Sequence, residues 1–399
     1  MKLLPRTVLG RAVAVVFAVL LAASLAATRF WSSRNSFRQM RLFAPSVRVQ
    51  NFRTMDELFP AKLVHHGTTP HHFARRALAL PRTYVFGGST HAVDEFLERS
   101  VTTALLVLKD DDLVSERYFL GASADSPLTS WSVAKSVVSV LTGIARDEGR
   151  IGALSTPLGA LSPKLAGSDY GEVSLHDALT MSSGIAFSEE YDDARSDIHT
   201  MFARVFYFGE SVPHYLATRS REVAPGTRFH YASSDTLALG LALRDAVGTS
   251  LAEYLEEKLW KPLGMEYDAT WNAEGDTGME LAFCCLNVRA RDFAKIGRLM
   301  ARGGDWDGKR VVSEAWVRES TRAEAPRTPG RLPRHPWGYQ YQWWVPGPPG
   351  VFMAAGVWGQ FIYVDSVRQV VIVKTSVDPD FDRNGDENVA LFETIAASL

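Results

Sequence analysis

The sequence predicts an α+β fold, in which one antiparallel sheet is flanked by helices and a mostly helical domain is inserted between its strands. Apolar runs typical of strands occur early, in TTALLVLKDDDLVSERYFLG at 102–121, and again late, between residues 338 and 377. From about 153 to 300 the pattern is mostly helical, with Pro and Gly as punctuation. Because tight turns join consecutive strands, the early and late strands are expected to share a single antiparallel sheet.

The N-terminus has the pattern of an export signal. Three basic residues, Lys2, Arg6 and Arg11, precede seventeen uncharged residues at 12–28. A basic region followed by an apolar segment is typical of secretory signals, and this run is near the shortest length, about 17 residues, that spans a bilayer. Residues 1–28 are therefore predicted to be a cleaved signal peptide or a signal anchor whose span, 12–28, crosses the inner membrane. In both cases the rest of the chain is expected to be exported, to the periplasm or another extracytoplasmic space.

A lead-in and one large domain are predicted after this segment. Residues 29–100 mix basic, Pro and His residues with short apolar runs, which indicates an extended, loop-rich lead-in. The main domain is placed at 101–399, with its helical part at about 153–300. It begins with a hairpin at 102–121 and a helix that starts near Ser132 and ends at Gly149. A final helix follows four late strands, at 338–345, 351–358, 360–367 and 369–377.

Composition excludes several classes of function. Basic and acidic residues number 43 and 45 and are interspersed, so the net charge is −2 and no basic stripe favours nucleic acid. The two cysteines, Cys284 and Cys285, are adjacent, which excludes a disulfide framework. Four histidines in HHGTTPHH at 65–72 are interpreted as a polar loop rather than a metal site, since Pro70 breaks any helical face. No cofactor or metal is predicted.

Ser132 and Lys135 form the most informative motif, in SWSVAKSVVSV at 130–140. Residues three apart on a helix are neighbours, so the hydroxyl and the amine would face each other, as a nucleophile and its proton acceptor do. The serine opens a helix whose N–H groups and dipole favour negative charge, and burial beside an apolar face would lower the pKa of the lysine. The alternative is an N-cap serine and a lysine that extends to solvent.

Two further stretches carry groups that this chemistry needs. Tyr231 lies in HYASSD, just before an apolar helix; beside a cation such as Lys135 a tyrosine can act as a base, although most tyrosines are simply buried aromatics. Gly356 and Gly359 interrupt a late strand in AAGVWGQFIYV at 354–364. A main-chain N–H near Gln360 would pair there with that of Ser132 to bind an oxyanion; the alternative is a simple bulge.

The order of these motifs resembles that of the penicillin-recognising serine hydrolases. Within them it is most similar to the class C β-lactamase-related group that includes 6-aminohexanoate-dimer (nylon oligomer) hydrolases and similar esterases. Further stretches in the same order support the resemblance over about 100–399: IARDEGRI (144–151), HDALTMSSGI (176–185), LWKPLGME (259–266), ARDFAKIGRLM (290–300) and YQWWV (341–345). The resemblance implies a serine β-lactamase/transpeptidase-like fold.

The resemblance also implies a role for each motif. Ser132 would be the acylating nucleophile, and Lys135 and Tyr231 would share the proton transfers. Which of the two is the base stays open, because such a pair titrates as a unit. The implied substrate and oxyanion positions are Gln360, Gly359, Trp358 and Ser233, the last in a place often held by Asn.

One departure from the family bears on the substrate. β-Lactamase-like members carry Lys-Thr-Gly on the late strand, where the lysine helps to bind the substrate carboxylate, and the matching place here reads Val357-Trp358-Gly359. The similar Lys374-Thr375-Ser376 lies in the next strand and is predicted to be structural. A small linear amide or ester, in an acyl site made wider or more apolar by Trp358, is therefore the expected substrate.

An acidic loop, SEEYDDARSD at 188–197, has two interpretations. Glu189, Asp192 or Asp193 attracts an amine-bearing substrate from a lid over the cleft, or the run is a solvated surface, as most such runs are.

Two other functions stay open beside the predicted exported serine hydrolase. A β-lactamase or DD-peptidase needs a carboxylate anchor that the sequence does not supply. A non-catalytic binding protein on the same scaffold conflicts with the intact Ser132, Lys135 and Tyr231. A general α/β-hydrolase is disfavoured, because the sequence has no Gly-x-Ser-x-Gly elbow. The oligomeric state is left open.

Overall fold

The structure, a computed structural model, describes residues 15–16, 36–275, 278–323 and 337–399. The chain divides into two compact units, Met1–Asn51 and Phe52–Leu399. In the first unit the described residues include two short helices, α1 (Ser36–Met40) and α2 (Arg48–Asn51). Among the described residues, no helix combines the length and apolar character that a membrane span requires. Nearly all of the predicted signal segment, 12–28, lies outside the described residues.

The second unit combines antiparallel strands with helices. Its strands are β1 (Ala61–Val64), β2 (Thr83–Phe86), β3 (Ser89–Ala92), β4 (Thr102–Lys109), β5 (Asp112–Tyr118), β6 (Leu128–Thr129), β7 (Ala269–Asn272), β8 (Leu286–Val288), β9 (Asp305–Trp306), β10 (Lys309–Arg310), β11 (Gly338–Gln340), β12 (Trp343–Val345), β13 (Val351–Gly356), β14 (Gln360–Asp365) and β15 (Val370–Ser376). Its α-helices are α3 (Met55–Leu58), α4 (Val93–Arg99), α5 (Val133–Asp147), α6 (Leu158–Leu161), α7 (Leu175–Leu179), α8 (Asp197–Met201), α9 (Val212–Ala217), α10 (Ser233–Val247), α11 (Leu251–Leu255), α12 (Ala290–Ala301), α13 (Glu314–Ser320) and α14 (Gly385–Ala397). A 3₁₀ turn, Asp169–Glu172, and two π-helical turns, Phe202–Tyr207 and Glu256–Trp260, add to these.

The main sheet joins the early and late strands. It has seven strands in the order β11-β12-β13-β14-β15-β4-β5, and each neighbouring pair is antiparallel. The early hairpin β4–β5 meets the late strands at β15, where Val370 pairs with Lys109 and Lys374 pairs with Leu105. The predicted α+β class and the shared antiparallel sheet are thereby confirmed.

Both faces of this sheet are covered. On one face, α4 and α14 contribute Phe96, Phe392 and Ile395 to a buried cluster with Leu105 and Ile372 of the sheet. On the other face, α12 packs on β14, β15 and β4. Its Gly297 lies so close to the sheet that a Cβ atom there would be 2.4 Å from a methyl group of Val371. This layered packing makes β13 to β15 a rigid wall for whatever lies at their ends.

Helix α5 is a largely buried helix of the second unit. Most of its residues are buried, and Ser132 occupies its N-cap position. Gly149 follows the helix with φ 71°, a left-handed conformation that glycine adopts without a steric penalty. The predicted helix between Ser132 and Gly149 is confirmed.

Several features differ from the sequence-based expectation. The block predicted to be mostly helical also contains β7 and β8, which join β1 and β6 in a four-stranded sheet of order β1-β7-β8-β6. The strand predicted at 338–345 is broken into β11 and β12, because Tyr341 and Gln342 adopt φ values of 37° and 68°. The predicted lead-in contains α4 and β1 to β3, and the compact second unit begins within it, at Phe52.

The cysteine pair and the histidine loop have partners of their own. Cys284 and Cys285 form a disulfide with each other, which the sequence did not predict, although no framework across the chain results. In the histidine loop, the Nδ1 atom of His66 lies 2.6 Å from a carboxylate oxygen of Asp268.

Candidate active site

Ser132 and Lys135 lie side by side at the start of α5. The Nζ atom of Lys135 is 2.8 Å from the Oγ atom of Ser132. Lys135 is 1% exposed and Ser132 is 7% exposed, so the pair is almost closed to solvent. The contact follows from the spacing in the sequence, because residues three apart on a helix share a face.

Lys135 has two further neighbours besides the serine. Its Nζ donates a hydrogen bond to the main-chain carbonyl of Phe283 at 3.1 Å, and it lies 5.0 Å from the centroid of the Tyr231 ring. Burial lowers the pKa of Lys135 to about 8, and the Glu189 carboxylate raises it in part. A lysine in this state carries a substantial fraction of neutral amine near pH 8, which is the form that accepts a proton.

Tyr231 completes the group from the segment before α10. Its ring stacks on Trp344, with centroids 5.5 Å apart and an interplanar angle of 25°. Burial and the Glu189 carboxylate raise the pKa of the Tyr231 phenol well above its ordinary value, while a hydrogen bond with Ser132 lowers it in part. Tyr231 is therefore a protonated phenol across the neutral range. The structure brings Ser132, Lys135 and Tyr231 together, as the sequence predicted.

Glu189, from the acidic loop, points inward rather than into solvent. It is 3% exposed and accepts hydrogen bonds from the Ser233 main-chain N–H at 2.8 Å, the Ser233 hydroxyl at 2.6 Å and the Tyr191 hydroxyl at 2.6 Å. A carboxylate at this end of α10 also interacts favourably with the helix dipole. The Ser233 side chain thus binds Glu189. Asp192 is exposed, and Asp193 binds the main-chain N–H of Arg195 at 2.9 Å.

The end of β13 forms the wall opposite α5. A Cβ atom on Gly356 would lie 2.9 Å from the main-chain nitrogen of Ser132 and 2.7 Å from the carbonyl oxygen of Ser130. Only a residue without a side chain permits this approach. Val357, the next residue, lines the same cleft as Ser132 and Tyr231.

Three of the predicted oxyanion and substrate positions lie elsewhere. The Gln360 side chain is buried and donates to the carbonyl oxygens of Ser376, at 2.7 Å, and Val357, at 3.4 Å. Trp358 and Gly359 form the turn between β13 and β14, with φ values of 65° and 82°. None of these three residues is among the described residues that line the cleft. The residues of this segment that line the cleft are Ala355, Gly356 and Val357, which directly precede the three predicted positions.

The similar tripeptide in the next strand is buried. Lys374 is fully buried in β15, where its Nζ donates to the Ser376 hydroxyl at 2.7 Å, and burial lowers its pKa to about 7. It is not among the described residues that line the cleft.

The cleft beside Ser132 is narrow and mostly apolar. Its volume is about 100 Å³. Aromatic and small residues dominate the described lining, which consists of Ser132, Tyr191, Tyr231, Trp337, Trp344, Ala355, Gly356, Val357, Phe361, Phe381, Asp382 and Gly385.

Sequence reasoning missed two groups at this site. The Phe283 carbonyl is a main-chain group. The residue types in a turn do not predict which of its carbonyls will face a lysine. The inward position of Glu189 was equally hidden, because the neighbouring acidic residues suggested a solvated loop.

A buried serine within 2.8 Å of a buried lysine, beside a tyrosine, is the arrangement that nucleophilic catalysis by a serine requires. A comparison with family models supports the same conclusion. The Beta-lactamase family matches residues 90–393, and the chain belongs to that family. The protein is a serine hydrolase related to the β-lactamases.

Known relatives show the same pattern of similarity. The 6-aminohexanoate-dimer hydrolase of Paenarthrobacter ureafaciens is 34% identical over 301 residues, which cover 73% of this chain and 76% of that protein. A structure from Bacillus anthracis with the provisional name 6-aminohexanoate-dimer hydrolase has a TM-score of 0.81 at 22% identity, covering 90% of this chain and 95% of that one. A penicillin-binding protein homologue from Caulobacter crescentus has a TM-score of 0.58 at 17% identity, over 77% and 96% of the chains. The two structural likenesses show the fold.

Proposed function

We propose that the protein cleaves small linear amides or esters through an acyl-enzyme on Ser132, with Lys135 as the general base and Tyr231 as the general acid. The observation that carries this proposal is the buried 2.8 Å contact between Lys135 Nζ and Ser132 Oγ. A nucleophile and a base in hydrogen-bonding reach are the minimum that covalent catalysis requires.

The two proton carriers are distinguished by opposite pKa shifts. Burial disfavours the charged form of each, so it lowers the pKa of Lys135 to about 8 and raises the pKa of Tyr231. The lysine therefore supplies the neutral, proton-accepting form near pH 8, while the tyrosine keeps its proton. These opposite shifts support Lys135, rather than Tyr231, as the base in the proposed mechanism.

The reaction follows from these states. The Lys135 amine takes the Ser132 proton as Oγ bonds to the substrate carbonyl carbon, and the electron pair of the carbonyl moves to its oxygen. The main-chain N–H groups of Ser132 and Val357, on the two facing walls, stabilise that oxyanion. When the intermediate collapses, the leaving nitrogen or oxygen takes the Tyr231 proton, and Tyr231 is reprotonated from the Lys135 ammonium. Water then attacks the ester, and its proton returns to Ser132 through the same groups.

The cleft lining supports an apolar acyl group. Trp337, Trp344, Phe361 and Phe381 provide aromatic surface, and Ala355 leaves space beside the β13 wall. Burial of a methylene chain against such surface contributes about 0.8 kcal/mol per CH₂ group. The relative from Paenarthrobacter ureafaciens is named for a linear amide dimer, which supports linear amides as the first substrates to test.

A substrate panel tests this proposal. Purified protein and its Ser132→Ala variant are incubated with 6-aminohexanoate dimer, p-nitrophenyl esters of increasing chain length and a labelled penicillin. We expect turnover of the amide or the esters by the wild type, and none by the variant, because loss of the nucleophile removes acylation. Equal turnover by the variant would refute the role of Ser132, and no turnover of any compound would favour a binding protein. Stable penicillin capture without turnover would favour the peptidase alternative.

We also propose that the protein is exported. The N-terminal segment is then either cleaved as a signal peptide or kept as a membrane anchor. The basic and apolar pattern of residues 1–28 supports export, as does the Cys284–Cys285 disulfide, since disulfides persist in oxidising compartments. Fractionation of cells that express the full chain, with mass spectrometry of its N-terminus, tests this. Recovery in the cytosolic fraction would overturn it.

A further inference from the structure

The Cys284–Cys285 disulfide lies in the turn that presents a carbonyl to Lys135. The bond closes a small ring that includes the peptide group between the two residues. Phe283, the residue before the ring, accepts the hydrogen bond from Lys135 Nζ at 3.1 Å. Cys284 is 2% exposed and Cys285 is fully buried, so the ring is a closed part of the interior rather than a site open to solvent.

The ring stabilises an unusual backbone conformation. Cys285 adopts a φ of 67°, in the left-handed region that residues with side chains seldom occupy. Such a residue persists where the surroundings determine its conformation. Here a covalent link between its side chain and that of its neighbour restricts the dihedral angles on both sides of the peptide group.

Three other carbonyl groups of this turn are bound to β7. The indole N–H of Trp271 donates to the carbonyls of Leu281, at 3.1 Å, and Cys284, at 3.0 Å. The main-chain N–H of Asn272 donates to the carbonyl of Cys285 at 3.0 Å. The carbonyls of Leu281, two residues before Phe283, and of Cys284, directly after it, are therefore fixed, and the Phe283 carbonyl faces Lys135.

The same turn is tied to the segment that carries the nucleophile. The main-chain N–H of Ser130 donates to the Leu286 carbonyl at 2.8 Å, and the Leu286 N–H donates to the Ser130 hydroxyl at 2.9 Å. These two hydrogen bonds hold the turn that contains Phe283 against the segment that contains Ser132.

The direction of the Lys135 lone pair depends on this carbonyl. A neutral amine has two N–H bonds and one lone pair, and a carbonyl oxygen can only accept. When one N–H of Lys135 points to the Phe283 carbonyl, the lone pair is free to face the Ser132 hydroxyl. Without that acceptor the amine rotates among several orientations, and fewer of them accept the serine proton.

We propose that the Cys284–Cys285 ring is a positioning element, which holds the Phe283 carbonyl so that it orients Lys135 toward Ser132. The proposal depends on Lys135 being the base in the proposed function. The ring itself touches no reacting atom.

Removal of the ring is the first test. In the variant Cys284→Ser/Cys285→Ser, we expect kcat on the best substrate of the panel to fall at least ~10-fold with little change in KM, because misplacement of a catalytic group lowers the rate after binding. The midpoint of the rate–pH curve should also move downward, because the Phe283 carbonyl accepts a hydrogen bond from the charged amine and its displacement disfavours that form. Tyr231 and Glu189, which act on Lys135 electrostatically or by ring contact, are unchanged in this variant. A purely structural ring would lower the melting temperature and leave kcat and the pH midpoint of the folded protein unchanged, and that result would overturn the proposal.

A matched variant isolates the backbone conformation. Glycine adopts positive φ without a penalty. We therefore expect Cys284→Ser/Cys285→Gly to recover part of the kcat that is lost in Cys284→Ser/Cys285→Ser. Equal kcat in the two variants, both below wild type, would show that the positive φ at position 285 is not what the ring secures, and would overturn that step.

Two controls separate this proposal from the proposed function. If Ser132→Ala keeps full activity, the proposed function fails. If Ser132→Ala and Lys135→Ala are inactive but Cys284→Ser/Cys285→Ser matches wild type, the positioning proposal alone fails.

Alkylation with iodoacetamide in denaturant tests whether the disulfide is present, and it does not depend on whether the variants fold. Wild-type protein should take up no label before reduction and two labels after it, and labels before reduction would overturn the proposal.

Discussion

At Lys135, two opposing influences set the protonation equilibrium. Burial lowers the pKa to about 8, whereas the Glu189 carboxylate raises it. Glu189 also accepts hydrogen bonds from Ser233 and Tyr191, so one buried side chain connects the charge of the site to the start of α10. The Glu189 contribution belongs to a single side chain and can be removed by substitution.

The rate of acylation should depend on pH through Lys135. The base must be neutral, so kcat/KM should rise with pH and reach half its maximum near pH 8. In Glu189→Gln the favourable charge is lost, the pKa of Lys135 falls further, and the midpoint should move to lower pH. Rate–pH curves on one ester substrate measure this shift.

A matched variant controls for the hydrogen bonds of Glu189. Ser233→Ala removes one hydroxyl donor but keeps the carboxylate charge, so its midpoint should stay at the wild-type value even where the rate changes. A midpoint for Glu189→Gln that is equal to or above the wild-type value would contradict the electrostatic account.

The residue-scale predictions from sequence succeeded where the signal was local. Ser132 and Lys135 contact each other because a helix brings positions three apart onto one face. The Phe283 carbonyl and the inward Glu189 were missed, because their positions depend on how distant segments pack. Gln360 was placed at the oxyanion site from a glycine pattern and the family resemblance, whereas the residue after β13 that lines the cleft is Val357.

At the scale of elements, the site is the meeting of α5 with the end of β13. The approach depends on Gly356, where a Cβ atom would lie 2.7 Å and 2.9 Å from two main-chain atoms of the Ser130–Ser132 segment. Main-chain atoms cannot move aside as the tip of a side chain can. The two walls can therefore lie this close, and form the oxyanion geometry, only because Gly356 has a hydrogen atom in place of a Cβ atom.

Substitution of this glycine tests the contact between the elements. Gly356→Ala should push the end of β13 away from Ser132 and lower kcat by ~10²-fold, the scale expected for a displacement of about 1 Å. Gly152→Ala is a suitable control, because the nearest atom to its added Cβ would be 3.5 Å away, on an exposed stretch. Kinetics on one ester substrate compare the two variants. Near-normal kcat in Gly356→Ala, with an intact fold, would contradict this account.

Elements with local signals were predicted well, and those defined by distant pairing were not. The hairpin β4–β5 and helix α5 have turn residues and periodicity within their own sequence. The sheet β1-β7-β8-β6 joins residues about two hundred positions apart, such as Ala61 and Asn272, and no window of sequence reports such a pairing. The break between β11 and β12 rests on positive φ at Tyr341 and Gln342, residue types that give no turn signal.

At the scale of the whole molecule, a buried carboxyl group makes stability depend on pH. Asp235 in α10 is fully buried, and burial raises its pKa from 3.8 to about 7, although hydrogen bonds from the Ser183 and Tyr170 hydroxyls lower it in part. The folded state therefore keeps a proton that the unfolded state releases. Between about pH 4 and pH 7 the free energy of unfolding should fall as pH rises.

Asp235→Asn removes this contribution while it keeps an oxygen that accepts both hydroxyls. The melting temperature of the variant relative to wild type should increase from pH 4 to pH 7. The matching change in the difference between their free energies of unfolding is on the order of 2 kcal/mol. Thermal melts by circular dichroism across this range measure the difference. The exposed Asp94→Asn serves as the control, and a difference for Asp235→Asn that is constant with pH would show that the carboxyl is not neutral in the folded protein.

The most direct test of the central claim is the identity of the nucleophile, which a fluorophosphonate labels covalently. Purified protein is treated with a fluorophosphonate, digested, and mapped by mass spectrometry. We predict one adduct, on Ser132, that forms more slowly below pH 8 and is absent from Ser132→Ala. An adduct on any other residue, or equal labelling of Ser132→Ala, would contradict the account.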